Sequence, residues 1–252
     1  MRYAVLSDIH ANLEALTVVL DWVNAHSISR ILCLGDIIGY GAEPAACLER
    51  LQSCDAYMVC GNHEAGCVGR LPQEWFHEAA RAALSWTSDQ LSFSDLDAIR
   101  RLPMTKVVDG LFTLAHATPK DPERFAYVAD VAQAVEALTV CRTSFCLIGH
   151  THVPWFVEYD VSLHRMGRVL AAPDALKNIL WDNSAGGMRY LVNPGSVGQP
   201  RDGDPRASFA VIDTDKKTLS IERLSYDIDA AGRKIRAAGL PELLAARLSF
   251  GR

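Results

Sequence analysis

No stretch of this 252-residue chain approaches the ~20 consecutive apolar residues that a membrane helix needs. The opening run, Met1-Arg2-Tyr3-Ala4-Val5-Leu6-Ser7-Asp8, meets its first acid too early for a signal peptide. Cysteine is neither even in number nor regular in spacing: the seven stand at 33, 47, 54, 60, 67, 141 and 146, with no Cys-x-x-Cys pair. A disulfide framework and a four-cysteine zinc site are therefore excluded. Cysteines such as Cys33, inside Ile31-Leu32-Cys33-Leu34, read as small apolar core residues in a reducing cytoplasm. A basic surplus is also missing. Lys plus Arg is 25 against 30 for Asp plus Glu, a net charge of −5, which argues against a long nucleic acid held by phosphate neutralisation. Repeats and low-complexity linkers are absent. What is present is a globular composition, 49% hydrophobic and 22% charged, in a length that suits a single domain over 1–252.

The first half alternates short apolar runs with amphipathic stretches. Residues 3–6, 31–34 and 57–59 predict strands; Leu13, Leu16, Leu20 and Val23 mark one face of a helix, and 45–51 a second helix. Strands alternating with helices predict a largely parallel sheet with helices on its faces. Residues 66–103 break this rhythm and predict a helical excursion. Its Trp75 and Phe76, with Trp86, read as core packing in preference to a base-stacking platform. Strands resume at 106–108, 111–115 and 145–148, with a helix near 128–138. Beyond Pro154 strands dominate, at 155–159, near 169, and at 190–192, 208–212 and 219–224. The chain returns to helix from about 228, and Pro241 opens a last short one.

Polar residues gather where strands end. Asp8 and His10 follow the first strand, Asp36 the second, and Asn62, His63 and Glu64 the third. His116 closes 111–115, and His150 and His152 close 145–148. Ligands of α/β sheets bind beyond the carboxyl ends of strands, so these clusters converge on one crevice. Imidazole mixed with carboxylate and amide oxygen, without thiolate, suits Mn, Fe, Zn or Ni. Asp8, His10, Asp36, Asn62, His116, His150 and His152 are too many for one ion and suit two that share a carboxylate. The Asp8-x-His10 and His150-x-His152 spacing predicts side chains on one side of an extended strand end. Gly35, Gly61 and Gly149 would let the backbone turn sharply before a ligand.

These residues, in this order, resemble the calcineurin-like metallophosphoesterases. The segment 193–203, Asn-Pro-Gly-Ser-Val-Gly-Gln-Pro-Arg-Asp-Gly, is similar to the bacterial diadenosine-tetraphosphatase-related branch. The resemblance runs from residue 1 to about 248. It implies an α/β fold, a four-layer α/β/β/α sandwich of two mixed sheets flanked by helices. It implies one divalent metal on Asp8, His10, Asp36 and His152 and a second on Asp36, Asn62, His116 and His150, with Asp36 bridging. Manganese is the first expectation, with Fe, Zn or Ni as alternatives. Ala11 stands where the family usually has Gly, and Glu64 where Asp is commoner; neither position is a ligand there.

Two such ions would provide a bridging hydroxide that attacks phosphorus in line. His63, beside Asn62, is then the candidate proton donor to the leaving group, with Glu64 or another acid to orient it. The implied activity is hydrolysis of a small phosphodiester, a nucleotide or a phosphomonoester. Dinucleoside polyphosphate hydrolysis and protein serine/threonine phosphatase activity are rival substrate readings. A catalytically silent scaffold is a rival of another class, opposed by the retention of all seven candidate ligands and His63. Three residues are candidates for substrate. Asn12 either caps the first helix or brings that helix N-terminus to a phosphate. Arg201 and Arg206 either clamp a second phosphate or pair with Asp202 and Asp204 in a turn. His26, His77 and His164 read as surface or helix-end residues. The expected partner is a small phosphorylated substrate, with no membrane and no long nucleic acid; homo-oligomerisation stays open.

Overall fold

The computed structural model describes residues 1–182 and 186–252. Among them are the strands β1 (Arg2–Leu6), β2 (Arg30–Cys33), β3 (Tyr57–Met58), β4 (Thr105–Val108), β5 (Phe112–Ala115), β6 (Phe145–Leu147), β7 (Trp155–Asp160), β8 (Arg165–Leu170), β9 (Ile179–Leu180), β10 (Met188–Asn193), β11 (Ala207–Asp213) and β12 (Thr218–Leu224). The helices are α1 (Leu13–Ala25), α2 (Pro44–Ser53), α3 (Asn62–Cys67), α4 (Glu78–Gln90), α5 (Phe93–Arg100), α6 (Val131–Val140), α7 (Ile228–Ala237) and α8 (Glu242–Ala246).

The strands form two six-stranded sheets, ordered β3-β2-β1-β11-β12-β9 and β4-β5-β6-β10-β7-β8. Strand alternation explains why they stack. In β1, Tyr3 and Val5 face the second sheet, where they join Leu32, Phe112, Phe145, Phe156, Tyr190 and Val192 in a core between the sheets. Ala4 and Leu6 point the other way, into a core shared with Leu16 and Val19 of α1, Leu48 of α2 and Ala83 of α4. Across the second sheet, Cys146, Val157 and Leu191 pack on Ala134 and Leu138 of α6. Both faces of each inner strand are therefore apolar, and the layers run helix, sheet, sheet, helix.

A largely parallel sheet does not form. Among the described residues, β1, β2 and β3 in the first sheet, and β5, β6 and β10 in the second, run parallel; the remaining pairings are antiparallel. The cause lies in the second half of the chain, whose short connections, such as residues 214–217 between β11 and β12, permit only hairpins. The hairpin β11–β12 thus continues the first sheet beyond β1, and the hairpins β4–β5 and β7–β8 lie at the two edges of the second. Helix α3 also goes beyond the sequence reading, which gave Asn62, His63 and Glu64 only as following the third strand. It leads into α4 and α5, which pack through Ala80, Ala83, Leu84 and Ile99 on the same core as α1. Trp86 is half-buried against that core and Phe76 lies within it, whereas Trp75 is 64% exposed, a correction to its reading as core.

Candidate metal centre

The parallel strands of both sheets end at one edge of the sandwich. The loops after β1 and β2 supply Asp8, His10 and Asp36, the first turn of α3 supplies Asn62, and the loops after β5 and β6 supply His116, His150 and His152. The loops are tied to one another by the backbone. Asp8 N–H donates to the Gly35 carbonyl (3.1 Å), His10 N–H to Asp36 (2.9 Å), Gly149 N–H to His116 (2.7 Å) and Gly198 N–H to Asp8 (3.0 Å). The site is thus built on bonded backbone before any side chain is placed.

The local backbone is not extended, contrary to the spacing argument. Asp8, His10, Asp36, His150 and His152 have φ of +53°, +50°, +50°, +66° and +60°, all left-handed, so paired side chains converge through tight turns and not through strand periodicity. The glycines also serve a different purpose from the turning role expected of all three. Gly35 does have φ +92°, but Gly61 is extended at φ −90°, and a Cβ there would lie 2.2 Å from Asp36 Oδ1. A Cβ on Gly149 would lie 1.9 Å from Ser7 Oγ. These two are needed for close approach.

Around Asp8, hydrogen-bonding capacity is left over in a telling way. Its Oδ2 accepts from Ser7 Oγ (2.6 Å) and His150 N–H (3.0 Å), while Oδ1 is buried without a partner. His10 Nδ1 faces the Ile38 carbonyl at 3.2 Å and His152 Nδ1 the Gln199 carbonyl at 2.6 Å. A carbonyl only accepts, so each Nδ1 carries the proton and each Nε2 of the neutral ring presents a lone pair. Those two Nε2 atoms lie 3.2 Å apart, and 3.8 and 3.2 Å from Asp8 Oδ1. With both rings neutral, three acceptors face one another with no hydrogen to share, an arrangement that a bound metal cation satisfies. Bonds of about 2.0–2.2 Å to such atoms give separations of this size.

Asp36 joins this cluster to the next. His63 N–H donates to its Oδ1 at 2.9 Å, leaving Oδ2 at 3.7 Å from His10 Nε2 and 3.3 Å from His116 Nε2. His116 Nε2 is in turn 3.0 Å from both Asn62 Oδ1 and His150 Nδ1, and its Nδ1 is held by the Leu34 carbonyl at 2.8 Å. All seven expected ligands are therefore brought together. Burial sets their charge states. It disfavours the cations of His10 and His152, and pushes His150 down to about 3. Burial works against the Asp8 and Asp36 anions too, but the surrounding imidazoles outweigh it and hold both below the usual carboxylate range. Burial also opposes the His116 cation, yet Asp36 beside it raises that pKa to about 9. Ionised carboxylates among largely neutral imidazoles are the form in which such side chains bind metal.

His63 is buried, its Nδ1 has no partner, and its pKa is pushed down to about 4 by burial, against the pull of Asp36. Glu64 does not orient it. The Glu64 carboxylate is committed to the N–H groups of Asp36 (2.7 Å), Ile37 (2.8 Å), Ile38 (3.1 Å) and Gly61 (2.9 Å), so it anchors the loop that carries Asp36.

The substrate candidates separate. Asn12 is spent within the fold: its Oδ1 caps α1 at Ala15 N–H (3.1 Å) and its Nδ2 donates to the Gly198 carbonyl (2.8 Å). Arg206 pairs with Asp204 (2.6 Å) and lines a separate cavity with Pro154, Pro173 and Arg223. Arg201 does not pair with Asp202, which Arg223 claims. It donates to Gln199 Oε1 (2.8 Å) and lies 5.9 Å from the Tyr40 ring, and its buried Nε has no partner. Sequence reasoning missed the carbonyls of Leu34, Ile38 and Gln199, because any residue supplies one. It also missed Tyr127, which stacks on His150 at 4.1 Å from an otherwise unremarkable loop.

Comparison with known proteins matches residues 1–217 to the calcineurin-like phosphoesterase superfamily domain. An uncharacterized protein of Methanocaldococcus jannaschii is 35% identical over 259 residues, which span 99% of this chain and 98% of that protein. The crystal structure of a metallophosphoesterase from Sphaerobacter thermophilus superposes with a TM-score of 0.84 at 37% identity, covering 100% of both chains. A hypothetical protein of Pyrococcus horikoshii shares the fold at 18% identity, with a TM-score of 0.76 over 100% of this chain and 98% of its own.

Proposed function

Because the chain belongs to the calcineurin-like phosphoesterase superfamily and is thus a metal-dependent phosphoester hydrolase, we propose that it uses two divalent ions, manganese first, on small phosphodiesters, nucleotides or phosphomonoesters. The observation that carries this reading is the acceptor-only cluster of Asp8 Oδ1, His10 Nε2 and His152 Nε2, adjoining a second group of Asp36, His116 and His150. Asp36 would be the ligand shared by the two ions, and Asn62 would complete the second set. When bound, the metals neutralise phosphoryl oxygens and supply a water that ionises near neutral pH.

The remaining work falls to the chain. The N–H of His63 fixes the Asp36 carboxylate, and the bonded loops hold the ligand set in place. Arg201, with an unspent donor at Nε, meets the phosphate. His63 lines the cavity beside Asn62 and His150 and delivers a proton to the departing oxygen; the negative charge of bound phosphate favours its protonated form. The seven free cysteines and the acidic balance support a reducing cytoplasm and a small substrate. No described helix is long and apolar enough to cross a membrane.

Leaving-group dependence tests the assignment. His63→Ala keeps bound metal. Its kcat falls by roughly 10²–10⁴ for an alkyl or nucleoside leaving group, which needs a proton, and clearly less for nitrophenolate. Loss of metal in this variant would instead place His63 among the ligands. Failure of the wild-type protein with Mn²⁺ to cleave a chromogenic phosphodiester and a chromogenic phosphomonoester alike would overturn the reading as a whole.

A further inference from the structure

Tyr40 stands between two glycines that press on the loops of the site. A Cβ at Gly39 would lie 2.1 Å from His63 Nδ1, and one at Gly41 2.3 Å from the His10 carbonyl oxygen, to which the Gly41 N–H donates at 3.0 Å. Tyr40 itself has φ +64°, a left-handed backbone that a large side chain adopts only at a cost in energy. Such strain collects where a side chain must be presented to a ligand. The ring is buried and wedged between imidazoles, its centroid 4.7 Å from that of His10 and 4.5 Å from that of His63. With Asn62, His63 and His150, Tyr40 lines a cavity of about 180 Å³ that opens off the ligand cluster.

Elimination places the hydrogen of its hydroxyl. The Tyr40 oxygen lies 3.2 Å from His77 Nε2. The other ring nitrogen of His77, Nδ1, accepts from the Ala80 N–H at 3.3 Å and so caps α4. Burial disfavours the His77 cation, and a nitrogen that accepts carries no proton. The one proton of the neutral ring is therefore on Nε2, and Nε2 donates to the Tyr40 oxygen. Arg201, whose guanidinium lies 5.9 Å from the Tyr40 ring, has no lone pair to offer. Tyr40 thus receives a hydrogen bond and keeps its own hydrogen: among the described residues no acceptor takes it.

We propose that Tyr40 is a further catalytic residue, whose O–H donates to a non-bridging oxygen of the phosphoryl group, and that His77 is the residue that positions it. The proposal rests on the phosphoesterase reading above and adds a residue to it. Phosphoryl oxygens offer acceptors alone, so an uncommitted O–H on the cavity wall is their complement. A fixed donor at these oxygens stabilises the charge they carry in the transition state. The His77 N–H on the phenol oxygen polarises the O–H and makes it a better donor. Wedged against His10 and His63, the ring has little freedom to turn the hydroxyl away.

Kinetics of the full-length, Mn-loaded protein on a nitrophenyl phosphoester and an alkyl phosphoester, with calorimetric titration of inorganic phosphate, test the proposal. Tyr40→Phe removes the hydroxyl and keeps the ring. A hydrogen bond to a charged group is worth about 10–100-fold, so kcat/KM falls by that factor for both esters alike. Phosphate binds about tenfold more weakly, and bound metal stays at the wild-type level. His77→Asn still caps α4 but is too short to reach Tyr40; it lowers kcat/KM by a smaller factor and adds nothing on top of Tyr40→Phe. A loss confined to the alkyl ester places the effect of Tyr40→Phe on His63, and a loss of metal places it on His10; either overturns the proposal, as do unchanged rates and phosphate affinity. Losses that multiply in the double variant overturn the positioning role of His77. Should Tyr40→Phe fail to fold, His77→Asn decides: equal losses on both esters uphold the assignment, and no loss overturns it. If the wild-type protein cleaves neither ester, the phosphoesterase reading fails, and phosphate binding judges the contact alone. Tenfold weakening in Tyr40→Phe upholds it; unchanged affinity removes it.

Discussion

Asp36 carries two demands at once, since one oxygen holds the His63 N–H and the other faces imidazoles of both groups. Asp36→Asn keeps the shape but removes the charge, and turnover falls to background while bound metal, measured by elemental analysis, drops below two per chain. Glu64 is the residue whose importance the sequence concealed. It reads as a departure from a motif, yet four backbone N–H groups converge on it. In Glu64→Gln the amide NH₂ confronts donors, and each buried N–H left unpaired costs about 1–3 kcal/mol. The urea midpoint falls accordingly, and metal affinity falls with it because the Asp36 loop loosens. Ala11 points the opposite way. At φ +52° its Cβ is a burden, so Ala11→Gly is neutral or raises the melting temperature. The same change at Ala15, inside α1, costs about 1 kcal/mol.

At the scale of elements, the cap of α1 separates structure from catalysis. Asn12→Ala loses the bond to Ala15 N–H and the strap to Gly198, and stability drops by about 1–2 kcal/mol in a denaturant titration. The KM for a small aryl phosphate stays unchanged, because no substrate contact is lost. Much at this scale was legible beforehand. Apolar runs at 3–6, 31–34 and 145–148 mark strands buried on both faces, and the ligand types stand immediately after them. Geometry at the strand ends was not legible, since a left-handed turn at His10 or His150 leaves no trace in residue type. Side-chain pairing was equally hidden: Arg223, on β12, takes Asp202, and so frees Arg201 for the site. Trp75 looked like a core residue because helical spacing alone cannot say which face a neighbouring loop leaves uncovered.

Across the whole molecule, the candidate ligands come from both sheets. Asp8, His10, Asp36 and Asn62 follow strands of the first, and His116, His150 and His152 strands of the second; His10 and His152 meet although 142 residues apart. Removing metal with a chelator therefore lowers the melting temperature as well as abolishing activity. At a hundredfold excess over the dissociation constant, bound metal contributes about 2.7 kcal/mol, a shift of roughly 5–10 °C for a chain of this length. Manganese restores both readouts together.

The same arrangement makes the metal site a caliper whose two jaws belong to different sheets. Its opening is set some distance away, by the thickness of the apolar filling between the jaws, and the ions register any change in that thickness. Thinning the filling with Val5→Ala or Phe156→Leu skews the jaws, and manganese affinity weakens although no ligand has been touched. An equally destabilising Leu20→Ala, in the outer helix layer, leaves the jaws parallel and the affinity close to normal. Manganese titration of these variants, matched for stability, thus reads core packing through coordination chemistry.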